Sequence, residues 1–274
     1  MDRHTQDQSL IIASDGSVAN SFGTYGWIIS TQSGVRIAKS SGNVYGHRAS
    51  SYRAELSGLQ ACLHIIYHMQ TYFKSSTHIQ AEIHIDNLSV VDLCTHIQEN
   101  LNHGQEAGDP LEIEFPGQIE DFRDELDLQH HYTMEPDWDL IINIRSILSI
   151  PHFNSLKFYW IKAHQDDKNP YDRLSLPAQL NVDADALCSR IQQQPKDEKY
   201  QRVPLTNYCH AHLDIKDQTV TSNYKGRIRR ERATQPLYNY IASRNDWNEQ
   251  QMKTIDWKLH KHALQFKHAK QKHY

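Results

Sequence analysis

The sequence predicts an α/β domain, and three observations carry that prediction. Five short apolar segments, rich in β-branched and aromatic residues, read as strands at residues 10–13, 25–30, 35–39, 79–85 and 156–161. Helical apolar spacing fills the gaps around the later ones, above all at Leu56, Leu59, Leu63 and Ile66. Only short turns separate the first three strands, which predicts an antiparallel meander within a mixed five-stranded sheet.

Residues 10–13 run into Asp15-Gly16-Ser17, so a carboxylate stands where the strand is expected to leave the sheet. By itself this is the signature of an ordinary turn. The second strand follows a Gly- and Ser-rich stretch, and a turn at Gln32-Ser33-Gly34 leads to a half-exposed third. Ser50 or Ser51 is placed to N-cap a helix, and Glu55 falls in its first turns beside the apolar face. In the fourth strand Ile79, Ala81, Ile83 and Ile85 alternate with Gln80, Glu82 and His84. Asp86-Asn87 ends it, and a helix is expected over 90–97. Asp86 therefore repeats the arrangement of Asp15, a carboxylate at the carboxyl end of a strand, where ligands gather in α/β sheets.

Residues 99–137 read as an inserted loop in which Arg123 is the only base, and its acids as a solvated surface rather than a metal site. An amphipathic helix is expected over 138–150, stopped by Pro151. The fifth strand runs into Lys162-Ala163-His164-Gln165-Asp166-Asp167. Pro177 then opens a helix with Leu180, Ala184, Leu187 and Ile191 on its core face. Asp183 and Asp185 flank that face on opposite sides, so periodicity leaves open which one faces a site. Residues 192–199 read as a boundary between a domain at 1–194 and an extension at 195–274, the latter partly helical, with a helix expected over 247–268 carrying Ile255, Leu259 and Leu264 on one side.

The formal net charge of −4 averages over unequal regions, because bases outnumber acids about three to one from Lys225 onward. That basic segment is suited to two uses: binding phosphates, with Trp247 and Trp257 available for stacking, or packing as a helix with an exposed basic side. Cys62, Cys94, Cys188 and Cys209 are far apart and show no C-x-x-C spacing, which fits a reducing compartment. Cys209-His210-x-His212 and His260-x-His262 match no standard zinc finger. The N-terminal residues lack the apolar core of a secretory signal, and no apolar run approaches membrane-spanning length. The expected location is intracellular, nuclear or cytoplasmic, with no membrane partner.

Taken together, SDGS at Asp15, RAEL at Glu55, IDN at Asp86, KAHQ at His164 and NVDADAL at Asp185 resemble the type 1 ribonuclease H family. The likeness covers roughly residues 8–192 and extends to the ribonuclease H domains of retroelements and reverse transcriptases. Long spacers, the AHQDD loop and the basic C-terminal segment make it most like a retroelement-derived member. The resemblance implies a ribonuclease H-like mixed five-stranded sheet flanked by helices, here with a mostly helical C-terminal extension. It also implies that the fourth acid is Asp185 rather than Asp183.

The same resemblance implies a metal-dependent endoribonuclease that cuts the RNA strand of RNA–DNA hybrids. Crowded carboxylates repel by several kcal/mol at an effective dielectric near 20 and coexist when divalent cations neutralise them. Hard oxygen ligands suit two Mg²⁺ or Mn²⁺ ions, about 4 Å apart, in phosphodiester hydrolysis. By resemblance Asp15, Glu55, Asp86 and Asp185 hold the ions, and His164 assists proton transfer or product release. Gly16, Ser17, Ser51 and Asn87 are the implied nucleic-acid contacts, with recognition of 2′-hydroxyls in a shallow minor groove. Arg53 is a weaker candidate, since an Arg there also fits a salt bridge. The inserted segment is acidic where many members carry a basic protrusion that grips the hybrid. A reverse transcriptase domain in cis or in trans is an implied partner, although no polymerase motif is present in these residues. Two other readings stay open: a ribonuclease H-fold binding or scaffold module without cleavage, and an integrase-like polynucleotidyl transferase.

Overall fold

A computed structural model describes residues 9–73, 80–106, 136–195, 198–204 and 212–256. Of the inserted loop expected over 99–137, residues 99–106 are helical and 107–135 lie outside the described residues, as do Cys209, His210, Trp257, His260, His262 and residues 257–268 of the expected last helix.

The first strand is longer than its apolar run. β1 (Leu10–Ala19) pairs antiparallel with β2 (Phe22–Thr31) along its whole length, and a two-residue turn at Asn20 and Ser21, both at positive φ, joins them. Asp15, expected where the strand leaves the sheet, is therefore inside β1. β3 (Arg36–Asn43) completes the antiparallel meander. Ser50 accepts a hydrogen bond from the Arg53 amide (3.0 Å) and so caps α1 (Ser51–Phe73), which buries Leu56, Leu59, Leu63 and Ile66.

β4 (Ala81–Ile85) lies parallel to β1, and β5 (Leu156–Trp160) lies parallel to β4. The sheet order is β3-β2-β1-β4-β5. Between the last two strands run α2 (Leu88–Glu106) and α3 (Trp138–Leu148), and α4 (Leu176–Gln192) follows β5 with Pro177 in its first turn. α2 begins earlier and ends later than its periodicity indicates. Its start is fixed by Asn87, whose Oδ1 accepts from the Ser89 amide at 3.1 Å.

The main core joins one sheet face, through Ile12, Ile83 and Ile85, to α1, α2 and α3. On the other face a smaller cluster, Ile11, Ala13 and Ile28, packs against Leu180 and Leu187 of α4. Strand alternation makes both layers possible, since successive residues of β1 serve opposite faces.

The described chain divides into two compact units, Met1–Ser222 and Asn223–Tyr274. The described residues between 195 and 222 thus fall within the first unit. There the hairpin β6 (Leu213–Ile215) and β7 (Gln218–Val220), absent from the sequence expectation, leads to backbone bonds with the domain. His47 N–H donates to Thr219 O at 3.2 Å and Asp137 N–H to Thr221 O at 2.8 Å.

In the second unit the basic run lies inside α5 (Tyr224–Asn245), a helix that polar residues on nearly every side hid from periodicity. Asp246 adopts the left-handed conformation and Trp247 N–H reaches back to Ala242 O (2.9 Å), closing the helix just where another was expected to begin. Of the helix expected over 247–268, the described part is α6 (Glu249–Lys253), capped by a reciprocal pair of Asn248 and Gln251 bonds, and non-helical residues to 256.

Candidate active site

The β1–β4 ladder ends at Ser14 and Ile85, so Asp15 and Asp86 are the next residues on two adjacent parallel strands. Neighbouring strands lie about 5 Å apart, which already brings the two carboxylates within reach of each other. Asp15 thus stands at the carboxyl end of the parallel ladder although its own strand continues with β2.

Two glycines let the helices close on this point. A Cβ on Gly16 would collide with the backbone of Ala54 and Glu55, so the start of α1 rests directly on β1. Opposite Asp15 in the register is Gly26, where a Cβ would lie 2.5 Å from Ala184 O and 3.0 Å from Leu187 Cβ. α4 therefore sits against the strand at that level, bringing Asp185 beside it.

Carboxylate oxygens of Asp15, Glu55 and Asp86 all lie within 4.8 Å of one another. Asp15 and Glu55 are buried and Asp86 is partly so. Burial, with the charges of Asp86 and Asp185, pushes the Asp15 carboxyl up to about 7. Burial first, then Asp86 and Asp15, holds Glu55 well above the usual carboxylate range, against a lowering bond from the Gly16 backbone. Glu55 Oε2 is buried and has no hydrogen-bond partner among the described residues.

Asp185 lies outside this trio but within its field. Burial raises its carboxyl, and among the charges His164 lowers it while Asp166 and Asp86 raise it. His164 adopts a left-handed conformation (φ 49°) at the start of a short turn, Gln165–Asp167, after β5. Asp183 points elsewhere: its carboxylate accepts from Arg36 Nη2 at 3.0 Å and from Tyr171 Oη at 2.9 Å. Those bonds tie the loop after β5 to β3 and α4.

The four implied nucleic-acid contacts are spread around the trio. Gly16 lies directly against the backbone of Ala54 and Glu55, Ser17 Oγ accepts from Gln192 Nε2 (2.8 Å), Asn87 caps α2, and Ser51 is an exposed first residue of α1. Arg53 is occupied in the interior. Its guanidinium donates to Asp137 (3.0 Å) and to both oxygens of Asp139 (2.8 and 2.6 Å), and Nε donates to Tyr45 O (2.6 Å). Asp137, the end of the expected solvated acidic segment, is thus buried against a cation.

Two neighbours of the site were not expected from the sequence. The Trp160 indole donates to Asp86 O (2.9 Å), and Cys188 Sγ lies 3.3 Å from Asp15 O. Burial and the neighbouring carboxylate of Asp15 push the Cys188 thiol up, so it stays protonated. Its position three residues after Asp185 was the available signal.

The donor set fits hard divalent cations. Three carboxylates share one small volume, two have raised pKa values, and a buried oxygen of Glu55 lacks a donor among the described residues.

The strand order and pairing, with helices on both faces, make this a ribonuclease H-like fold. No family model and no curated protein matches the sequence. Among solved structures, the chain is similar to the N-terminal RNase H domain of Rv2228c from Mycobacterium tuberculosis, at 16% identity and TM-score 0.40, over 68% of this chain and 94% of that one. It is also similar to RNase H1 of Halobacterium salinarum, at 14% identity and TM-score 0.37, over 67% and 97%. Prototype foamy virus protease–reverse transcriptase is matched at 14% identity and TM-score 0.42, over 72% of this chain and 22% of that one. The topology and the acid cluster stand on the geometry above, independently of these likenesses.

Proposed function

We propose that this chain is a metal-dependent endoribonuclease that hydrolyses the RNA strand of RNA–DNA hybrids. The observation that carries the proposal is the convergence of Asp15, Glu55 and Asp86 within 4.8 Å, with Glu55 Oε2 buried and without a hydrogen-bond partner among the described residues. In this reading those three acids and Asp185 hold two Mg²⁺ or Mn²⁺ ions. Bound there, the ions supply Lewis acidity and lower the pKa of coordinated water.

The chain's own residues do the rest. Gly16, whose bare Cα lets the backbone of Ala54 and Glu55 rest on β1, brings Glu55 to the site. Asn87 takes over the capping of α2, which leaves the Asp86 carboxylate for the site. In this reading His164, whose charge lowers the Asp185 carboxyl, moves a proton at its imidazole ring. Ser51 and Asn87 at two helix starts, with the backbone around Gly16 and Ser17, supply polar groups for 2′-hydroxyls and phosphates. A retroelement origin, a reverse transcriptase domain in cis or trans, and a nuclear or cytoplasmic setting belong to the same reading. No helix among the described residues is long and apolar enough to cross a membrane.

A strand-labelled hybrid incubated with Mg²⁺ or Mn²⁺ tests the proposal. Wild type is expected to cut only the RNA strand, and Asp15→Asn to be inactive. Equal activity from both proteins would end the enzymatic reading, and cutting of plain duplex DNA would favour the integrase-like one.

A further inference from the structure

The charge of this chain is divided between its two units. Residues 223–274 hold 12 lysines and arginines against 4 acids, which leaves 17 bases and 29 acids in residues 1–222. The unit that carries the acid trio has a net charge of −12 and repels a polyanion at long range, whereas the other has +8.

Within the second unit, α5 displays its cations. Lys225, Arg229, Arg230, Arg232 and Arg244 are all exposed, and among the described residues no carboxylate pairs with Arg229, Arg230 or Arg232. At 3.6 residues per turn, Lys225, Arg229, Tyr240 and Arg244 share one side, with Arg230 and Arg232 flanking it. Lys225 to Arg232 spans about 10 Å of helix axis, about three base-pair steps of a duplex. Tyr240 and Leu237 are exposed nearby, and Arg244 Nη1 donates to Tyr240 Oη at 3.0 Å.

We propose that this arginine face of α5 is a second nucleic-acid-binding surface that grips the phosphates of the substrate duplex; that the duplex is an RNA–DNA hybrid rests on the function proposed above. Four of the five exposed cations are arginines, whose planar forks match phosphate oxygens. The exposed tyrosine adds a flat surface for a base or sugar. A lipid surface is the poorer fit, because the helix has no continuous apolar face to bury in it. The affinity that the acidic unit lacks is thereby supplied from the same chain.

The test uses the full chain carrying Asp15→Asn, so that binding is read without cleavage. Fluorescence anisotropy with a labelled hybrid is followed from 50 to 300 mM KCl, with and without Arg229→Gln/Arg230→Gln/Arg232→Gln. The triple substitution is expected to weaken binding at least tenfold at 100 mM KCl. It should flatten the slope of log K against log salt by about 2 to 3, at roughly 0.9 for each phosphate left without its cation. The corresponding triple Arg→Lys variant keeps the slope, and plain duplex DNA loses affinity in parallel, since the arginines grip phosphate. An unchanged slope overturns the proposal. Tighter hybrid binding by the Gln variant also overturns it and assigns the arginines to the chain's own acidic segment. Because the readout is binding, failure of wild type to cut hybrid would sink the nuclease reading and leave this surface standing.

Discussion

Replacing Arg53 by Met removes the cation that two buried carboxylates share. The Arg53 side chain is 1% exposed, and those of Asp137 and Asp139 are 4% and 9% exposed. Three hydrogen bonds to carboxylate oxygens and one to Tyr45 O disappear together. Removing one side of a buried ion pair costs about 3–5 kcal/mol, because the remaining charge is left without water or partner. For a domain of this size that corresponds to a fall in Tm of roughly 10 °C. Burial holds Asp137 above its ordinary value even against the pull of Arg53. Without the guanidinium the folded-state pKa rises further above the unfolded one. The folded variant then binds more protons than the unfolded chain, and its stability falls as pH rises through that window. The deficit relative to wild type should therefore be larger at pH 8 than at pH 5 in urea or thermal unfolding followed by circular dichroism. Adding Asp137→Asn and Asp139→Asn should restore more than half of the loss. A deficit below about 1 kcal/mol, or one that grows toward low pH, would mean that Arg53 does not neutralise these buried carboxylates.

The acid trio gives a second pH prediction. With Asp15 raised to about 7, its stabilising contribution without divalent ions is full below the unfolded pKa and is lost as pH rises through the folded one. Metal-free wild type should lose thermal stability from pH 5 to pH 8, Asp15→Asn should lose less, and Mn²⁺ should raise the Tm of wild type more at pH 8. Asp185→Asn should weaken Mn²⁺ binding in calorimetry, whereas Asp183→Asn should leave it unchanged and cost at most about 1 kcal/mol, since its pair with Arg36 is partly exposed. Gly16→Ala should lower both stability, by 2 kcal/mol or more as an order of magnitude, and metal affinity, because the new methyl group pushes α1 and Glu55 off β1.

Local pattern made the acids and most elements legible, because strand alternation and helical spacing are short-range signals. Leu56, Leu59, Leu63 and Ile66 declared the buried face of α1, and Asp86 followed a clean five-residue strand. What stayed hidden depended on distant partners. β1 extends past its apolar run because β2 pairs with it to Ala19, a fact no property of residues 14–19 reveals. Spacing left Asp183 and Asp185 equivalent, and Arg36, 147 residues away, separates them by binding the first. Arg53 finds Asp137 and Asp139 more than 80 residues downstream, at the edge of a segment whose composition reads as solvated. Conversely α5 lacks the apolar stripe that would have announced it, and its arginine-rich surface follows from the same absence.

Calorimetric titration of the metal-free chain with Mn²⁺ at pH 7.5 bears most directly on whether the convergent acids form an ion site. Wild type should bind with release of protons, and Asp15→Asn and Glu55→Gln should each lose most of that binding. Binding that is equal in all three proteins, or absent from wild type, would contradict the account.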